Sequence, residues 1–246
     1  QMSAPVRLGK LWRDDLEELD HTKVLLNANV THLQLFPHGQ ALKWVECRAF
    51  SGPKFRVQAK RFILACGGIE NPRMLLNARD VATQGIGNQH DLVGRYFMEH
   101  PHIDRESLWL PGGLVPSLRY YHRRKRKDKK DRIWPYLRPS AERLAQEELL
   151  DFSLVLFKRS KISREEKKHP LLKIVHHSAE YLYRPDRESR PVRAYTFGNP
   201  MEQAPNPNSR VGLDPNAERD ELGLIKSNLH WALTSLEKKT LRRAHE

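Results

Sequence analysis

A pair of glycines, Gly67 and Gly68, separates a short apolar run from a predicted helix start, and this combination suits binding of an anionic ligand. The apolar run is residues 62–65, which has charge before it and glycine after it and therefore predicts a buried strand. The glycines let the backbone turn sharply and approach a ligand, because no Cβ stands in the way. Asn71 and Pro72 predict the helix start, since Asn caps free N–H groups and Pro at the first helical position gives up only an unpartnered N–H.

A strand, a glycine turn and a helix N-terminus suit an anion or a dinucleotide, because backbone N–H groups and the helix dipole converge on one spot. The same arrangement also serves as a plain connection between a strand and a helix in any α/β domain. The residue types alone leave both interpretations open. The nearby Gly85-Ile86-Gly87 is not a dinucleotide fingerprint, because His90 stands where the third glycine would fall and no strand precedes it.

The elements that would position this turn follow from hydrophobic periodicity. Leucines and a tryptophan at helical spacing predict a helix over residues 8–19, and residues 24–26 predict a short buried strand. Residues 30–36, 41–50 and 55–65 predict a three-stranded meander, because turn residues separate them. The expected order is therefore helix, strand, meander, glycine turn and helix.

The later part of the chain also alternates between predicted helices and strands. A Pro- and Gly-rich stretch at residues 109–116 marks a boundary. After it, the pattern predicts helices over residues 141–150, 171–183 and 235–244, and strands over residues 152–157, 192–197 and 224–233.

Several phrases in the sequence carry a resemblance to a known family. They are ACGGIENPRMLL at residues 65–76, DLVGR at residues 91–95, the pair His100-Pro101, NANV at residues 27–30 and EQAPNPNSRVGL at residues 202–213. Their wording and order resemble the glucose–methanol–choline (GMC) family of FAD-dependent oxidoreductases. The Glu-Asn-Pro version of the turn is most similar to the sugar and polyol branch of that family.

The resemblance implies a fold, a cofactor and a set of site residues. The fold would be α/β (α+β): a partial FAD-binding Rossmann-like domain with a β-meander, and part of a substrate-binding domain with a mostly antiparallel sheet and helices. In the family the backbone of the residue matching Val30 lies against the FAD adenine; without the resemblance, Val30 is an ordinary strand residue. The implied cofactor-binding residues are Val30, Ala65, Cys66, Gly67, Gly68, Asn71 and Pro72.

The same resemblance implies that the chain is the middle of an enzyme. Residues 1–101 would belong to the FAD-binding domain, and residues 102–246 to the substrate-binding domain. The implied activity is oxidation of a CH–OH group of a small alcohol or sugar by hydride transfer to flavin. No residue of this chain matches the family's catalytic His or its N-terminal phosphate loop. We therefore expect no catalytic residue here, and expect the enzyme's N- and C-terminal parts to be the missing partners.

The charge of the chain offers a second class of function. The 246 residues carry a net charge of +13, and much of the excess lies in the basic stretch at residues 120–132. Such a stretch can bind nucleic acid or an anionic surface, here through residues 122–132. We favour a solvated surface loop, because no nucleic-acid motif accompanies it.

Cysteines, histidines and hydropathy add further expectations. Cys47 and Cys66 lie in apolar runs without metal-ligand spacing, which predicts two buried free thiols and no metal site. His100 and His102 flank a proline, and His176 and Glu180 share a helical spacing; both pairs are more typical of structural roles than of metal ligands. No run is long enough to span a membrane. The absence of a visible signal peptide favours a cytoplasmic location, although a chain that begins with Gln is expected to be cut from a longer one.

Overall fold

The computed structural model describes residues 7–101, 106–111, 124–125, 132–158, 192–214, 216 and 218–246. The chain forms two compact units. The first unit comprises residues 7–98 and 204–234, and the second comprises the described residues within 99–203 and 235–246. The predicted functional division at residue 101 remains a prediction; residues 204–234, assigned there to the substrate domain, group with residues 7–98.

The elements alternate along the chain between short helices and short strands. The helices are α1 (Leu8–Leu11), α2 (Arg13–Glu17), α3 (Glu70–Asn77), α4 (Ala141–Gln146) and α5 (Ser235–His245). The strands are β1 (Asn29–Leu35), β2 (Leu42–Arg48), β3 (Lys54–Val57), β4 (Glu106–Pro111), β5 (Arg124–Lys125), β6 (Arg132–Ile133), β7 (Val155–Lys158), β8 (Val192–Gly198), β9 (Arg210–Leu213) and β10 (Ser227–His230).

The predicted meander is confirmed and carries the core of the first unit. Strands β1, β2 and β3 pair in that order, each antiparallel to the next. Leu33 and Leu35 are both buried, as the alternation predicts for one face of a half-buried strand. Leu33 packs in a cluster with Cys47 of β2 and Met74 of α3, so the sheet and the helix that follows the glycine turn share one core.

Two predicted buried strands do not form. Residues 61–65 form no strand, and Ile63 is 90% exposed while Phe62 and Leu64 pack on the core cluster. Residues 24–26 are likewise unpaired, and their three apolar side chains are exposed. A strand that is apolar on both faces needs neighbours to hydrogen-bond with it and cover it. Among the described residues, no strand pairs with either segment.

The predicted N-terminal helix is also modified. It is interrupted at Trp12, so that α1 and α2 replace a single helix over residues 8–19. Its apolar residues are exposed rather than packed: Leu8 and Leu11 are 67% and 57% exposed. The helical periodicity predicts helix correctly, but the apolar face has no cover within the described part of the chain.

The second unit contains a three-stranded antiparallel sheet in the order β4-β8-β7. The predicted strand at residues 192–197 is confirmed as β8, and the predicted C-terminal helix as α5. The predicted helix at residues 141–150 ends earlier, at Gln146, with Ser140 as its cap: the Ser140 hydroxyl accepts a hydrogen bond from the Arg143 backbone N–H. Helix 171–183 and the stretch at residues 120–132 lie outside the described residues, except for the backbone of β5 and Arg132.

The fold class is a mixture of helices and antiparallel sheets, consistent with a partial domain and with the prediction. Strands β9 and β10 form a two-stranded antiparallel ribbon in the first unit, and β10 lies within the predicted strand at residues 224–233. Over the described residues, no helix combines the length and the apolar character that a membrane crossing requires.

Candidate cofactor-binding site

The glycine turn lies open on the surface of the first unit. Gly67 adopts a φ of +94°, which residues with a Cβ rarely adopt, so the turn requires glycine at this position. At Gly68 a Cβ would meet no atom within 4 Å. Both glycines are exposed. The backbone of the turn is therefore accessible to a ligand and is not packed beneath side chains.

Asn71 does not cap the helix as predicted. Helix α3 begins one residue earlier, at Glu70, and Ile69 occupies the N-cap position without a side-chain cap. The Asn71 side chain points back across the turn instead: its Oδ1 accepts a hydrogen bond of 2.8 Å from the Cys66 backbone N–H. The Asn71 backbone N–H donates to the Gly67 carbonyl at 3.0 Å. Asn71 thus closes the glycine loop through two hydrogen bonds, one made by its side chain and one by its backbone N–H.

The start of α3 offers backbone donors to a ligand. The amides of Gly68, Ile69 and Glu70 precede the first helical hydrogen bond, so the helix itself provides no acceptor for them. Pro72 lies within the first turn, where its missing N–H costs little. The negative charge of Glu70 at this position is balanced, because its carboxylate lies 3.1 Å from Nη1 of Arg73.

Arg73 anchors α3 to the segment before β10. Its Nη2 donates to the Asp220 carboxylate at 2.5 Å, and its Nε donates to the Ile225 carbonyl at 2.9 Å. Asn77, one turn further on, bonds both the N–H and the carbonyl of Ile225. The helix behind the glycine turn is therefore fixed in place by polar contacts as well as by its buried face.

The remaining predicted site residues divide between the turn and the sheet. Ala65 and Cys66 are exposed beside the glycines, which corrects the prediction that Cys66 is a buried thiol. Cys47 is buried as predicted, and burial raises the pKa of its thiol. Val30 lies in β1, half-buried, and packs against the same core cluster as Leu64.

Two sequence phrases that lie far apart along the chain are neighbours in the structure, which the sequence did not predict. DLVGR at residues 91–95 and SRV at residues 209–211 lie side by side in the first unit. The Val211 backbone N–H donates to the Gly94 carbonyl at 2.8 Å, and Gly94 adopts a φ of +82°. No feature of a single sequence links residues that lie so far apart along the chain.

An ion cluster joins the same two segments. The Asp91 carboxylate accepts hydrogen bonds from the guanidinium groups of both Arg210 and Arg95. These two partners, Arg210 first, lower the pKa of Asp91 to about 2. Arg95 also donates through Nη1 to the Pro207 carbonyl at 2.9 Å. Asp91 is therefore ionised throughout the physiological range and connects both arginines.

A cleft of about 340 Å³ lies beside this cluster. Its polar lining includes Arg79, Asp91, Arg210 and His230.

The described residues contain no group of three or more His, Cys, Asp or Glu side chains placed to hold a metal ion. The His176–Glu180 pair and His102 lie outside the described residues.

The chain is similar over part of its length to a known dehydrogenase. Over 66 residues the chain is 47% identical to a protein named fructose dehydrogenase large subunit, from Gluconobacter japonicus. The matched region is 24% of this chain and 12% of the length of that relative. No protein-family model matches the chain.

Proposed function

We propose that this chain is part of an FAD-dependent oxidoreductase that oxidises a CH–OH group of an alcohol or sugar by hydride transfer to flavin. The observation that carries the proposal is the open glycine turn, held by Asn71, in a chain whose similarity is to a dehydrogenase. The wider proposal includes membership of the GMC family, which rests on the phrases quoted above.

The residues present fit an FAD group. A cofactor that approaches main chain needs glycines without neighbours, and Gly68 leaves the space of a Cβ empty. A diphosphate needs donors, and the amides ahead of the first helical bond of α3 supply them. Val30, Ala65, Cys66, Gly67, Gly68, Asn71 and Pro72 would hold the cofactor, largely through backbone groups.

Bound FAD would supply the redox chemistry by accepting a hydride. The part of the enzyme in this chain would bind and orient the cofactor. Asn71 would keep the loop in its binding shape by holding the Cys66 N–H, and Gly67 would provide the backbone turn. We assign no proton transfer and no catalytic role to any residue of this chain; those groups belong to the parts of the proposed enzyme that this chain does not contain.

Uncovered apolar segments favour a larger protein. Ile63, the three apolar side chains of residues 24–26 and the leucines of α1 are exposed. Contiguous apolar strands and amphipathic helices are stable when covered, so further sheet strands and helices of the same enzyme would bury them. The substrate would be a small molecule, with the missing N- and C-terminal parts as the partners.

The alternative, a basic protein that contacts nucleic acid or an anionic surface through residues 122–132, has less support. Most of that stretch lies outside the described residues, and no comparison favours it.

Flavin content of the complete gene product that contains this chain tests the proposal. Purified protein is denatured, and released flavin is quantified by fluorescence. We expect stoichiometric FAD, and a Gly68→Val variant with strongly reduced FAD because the new side chain occupies the approach to the main chain. Gly9→Val is the matched control, since Gly9 is also without neighbours within 4 Å. Absence of flavin from the unmodified protein, or equal flavin in both variants, contradicts the proposal.

A further inference from the structure

We propose that the cleft of about 340 Å³ in the first unit binds a phosphate group, carried by inorganic phosphate or by a small phosphate monoester. Its lining comes from the C-terminal end of α3, the segment before Gly94 and the ribbon of β9 and β10. The glycine turn lies at the other end of α3, whose 8 residues span roughly 12 Å. The cleft is therefore separate from the turn, and the inference does not depend on the proposed function.

One face of the ribbon supplies three of the polar groups. Arg210 of β9 lies directly opposite His230 of β10, and Gly212 lies opposite Asn228. Residues two positions apart on a strand share a face, and all four of these residues line the cleft. Gly212 keeps the middle of this face open, since a Cβ there would meet only the Asn228 carbonyl oxygen, at 4.0 Å. The guanidinium, the imidazole and the amide therefore face the same space.

Asp91 holds the Arg210 guanidinium in place without using all of its donors. Within the described residues, the side chain of Arg210 donates only to the two oxygens of Asp91, through Nη1 at 3.3 Å and Nη2 at 2.9 Å. A guanidinium has five N–H donors, so most of them remain for a ligand. The Arg210 side chain is 29% exposed, and a charge that is partly shielded from water attracts an anion more strongly. Arg210 is thus oriented in advance and still able to bind.

Arg79 supplies a second guanidinium from the end of α3. Its side chain makes one hydrogen bond within the described part of the chain, from Nε to the Leu76 carbonyl at 2.8 Å. That bond restricts the side chain and leaves both Nη groups for a ligand. Arginines bind phosphate oxygens through pairs of parallel N–H···O bonds, which makes two such groups in one cleft a suitable phosphate site.

The charge of the cleft also favours an anion. Arg79 and Arg210 carry two positive charges and Asp91 one negative charge, which leaves one net positive charge before His230 is counted. Both oxygens of Asp91 are already occupied by arginine donors, and one of these donors, Arg95, adds a further positive charge beside the cleft. Phosphate carries a charge of about −1.5 to −2 and three strong acceptor oxygens, so it satisfies more of these donors than a carboxylate can.

The cleft has room for more than the phosphate itself. Its volume lies within the range of small-molecule sites. Leu76 is buried and Leu213 half-buried, and both line the cleft beside the polar groups. Their apolar surface suits the carbon atoms of a small ester, and the Asn228 amide can bond to a hydroxyl group of that ester.

The test is isothermal titration calorimetry on the complete gene product, in about 0.15 M salt to screen weak surface binding. The probes are inorganic phosphate, glycerol 3-phosphate and acetate. We expect both phosphate compounds to bind, and acetate to bind at least roughly tenfold more weakly. Tighter binding of glycerol 3-phosphate identifies an ester as the ligand, whereas equal affinity identifies inorganic phosphate; either result supports the inference.

Two variants assign the binding to the cleft. Arg79→Gln should weaken phosphate binding roughly tenfold, because it removes charged hydrogen bonds. Arg219→Gln is the matched control: Arg219 is also exposed, also donates to one backbone carbonyl, that of Gly223 at 2.6 Å, and does not line the cleft. It should leave the affinity unchanged, although it lowers the net charge equally. Asn228→Asp keeps the size of the side chain and adds a negative charge, so we expect a loss of roughly tenfold or more.

The outcomes separate this inference from the proposed function, because flavin content is measured on the same samples. Protein that holds FAD but binds no phosphate overturns the inference and leaves the oxidoreductase intact. Phosphate binding to flavin-free protein supports the inference and contradicts the proposed function. Equal phosphate affinity of Arg79→Gln and Arg219→Gln, acetate binding as tight as that of phosphate, or loss of flavin from Arg79→Gln would each overturn the phosphate site.

Discussion

A Cβ placed on Gly94 would lie 2.0 Å from the carbonyl oxygen of Val211, so these two backbone segments meet at a distance that only glycine permits. The Val211 N–H donates back to the Gly94 carbonyl. The contact joins DLVGR to the segment that opens β9, and it explains in physical terms why glycine stands at this position.

The first prediction concerns this contact. Gly94→Ala should destabilise the protein by about 3 kcal/mol or more, because it combines a left-handed φ with a clash against main chain. Chemical denaturation measures the loss. Gly212→Ala, next to Val211, is the control: its Cβ would come no closer than 4.0 Å to the Asn228 carbonyl, so we expect a change below about 1 kcal/mol. Equal stability of the Gly94 variant and the unmodified protein would contradict the described approach.

The second prediction concerns Asn71. Asn71→Ala removes the acceptor for the Cys66 N–H and should cost about 1 kcal/mol of folding free energy. In the complete gene product we also expect faster flavin loss, because the glycine loop is no longer held. Asn71→Asp keeps the acceptor and places a negative charge in the first turn of α3, so its stability should match that of the unmodified protein. If Asn71→Ala and Asn71→Asp have the same stability and lose flavin at the same rate, the hydrogen bond from the Cys66 N–H does not hold the glycine loop in shape.

The third prediction is a pH dependence at Asp91. Its folded-state pKa is depressed to about 2, so its ion pairs contribute stability above the ordinary carboxyl pKa, and that contribution is lost as the pH falls through the folded value. The stability difference between the unmodified protein and Asp91→Asn should be constant near neutral pH, begin to shrink below about pH 5 and vanish only about one pH unit below the folded-state pKa, near pH 1. Asn also tolerates the positive φ of 52° at this position, so the backbone is matched. A difference of undiminished size at pH 2 would show that charge is not its source.

The fourth prediction separates the two thiols. Iodoacetamide should label Cys66 rapidly, because it is exposed, and leave Cys47 unlabelled in the folded protein, because it is buried and its thiol pKa is raised. Peptide mass spectrometry locates the label. Bound FAD should slow labelling of Cys66 in the complete gene product, and removal of the flavin should restore it. Labelling of Cys47 before Cys66 would contradict the burial of the meander core.

The fifth prediction compares a buried apolar residue, Leu33, with an exposed one, Ile63. Leu33→Ala should cost about 2 to 5 kcal/mol in any context, because Leu33 is 3% exposed. Ile63→Ala should be close to neutral in this 246-residue chain but destabilising in the complete gene product, if further strands cover Ile63 there. Thermal unfolding of both lengths provides the comparison. If Ile63→Ala leaves the stability of the complete protein unchanged, no further strand covers Ile63.

The features that the sequence predicted correctly are those that depend on local interactions. The meander and Leu33 were predictable because alternation and turn residues act within a few positions. The run containing Ile63 has the composition of a buried strand, yet pairing depends on a neighbour that composition cannot reveal. Asn71 was expected at the helix cap, but Ile69 adopts a helical conformation, so the helix starts earlier and the side chain turns to Cys66. The Gly94–Val211 contact could not be predicted, because one sequence gives no information on pairing between distant segments.

The discontinuous first unit imposes an order on synthesis at the ribosome. Residues 7–98 cannot complete their unit until residues 204–234 have been translated, so all of residues 99–203 must emerge in between. At ordinary elongation rates that interval lasts roughly 5 to 20 seconds. During this interval Gly94 lacks its contact with Val211, and Arg73 and Asn77 lack their hydrogen-bond partner, the backbone of Ile225. Slow codons within residues 99–203 should therefore lengthen the exposure of the incomplete first unit to proteolysis.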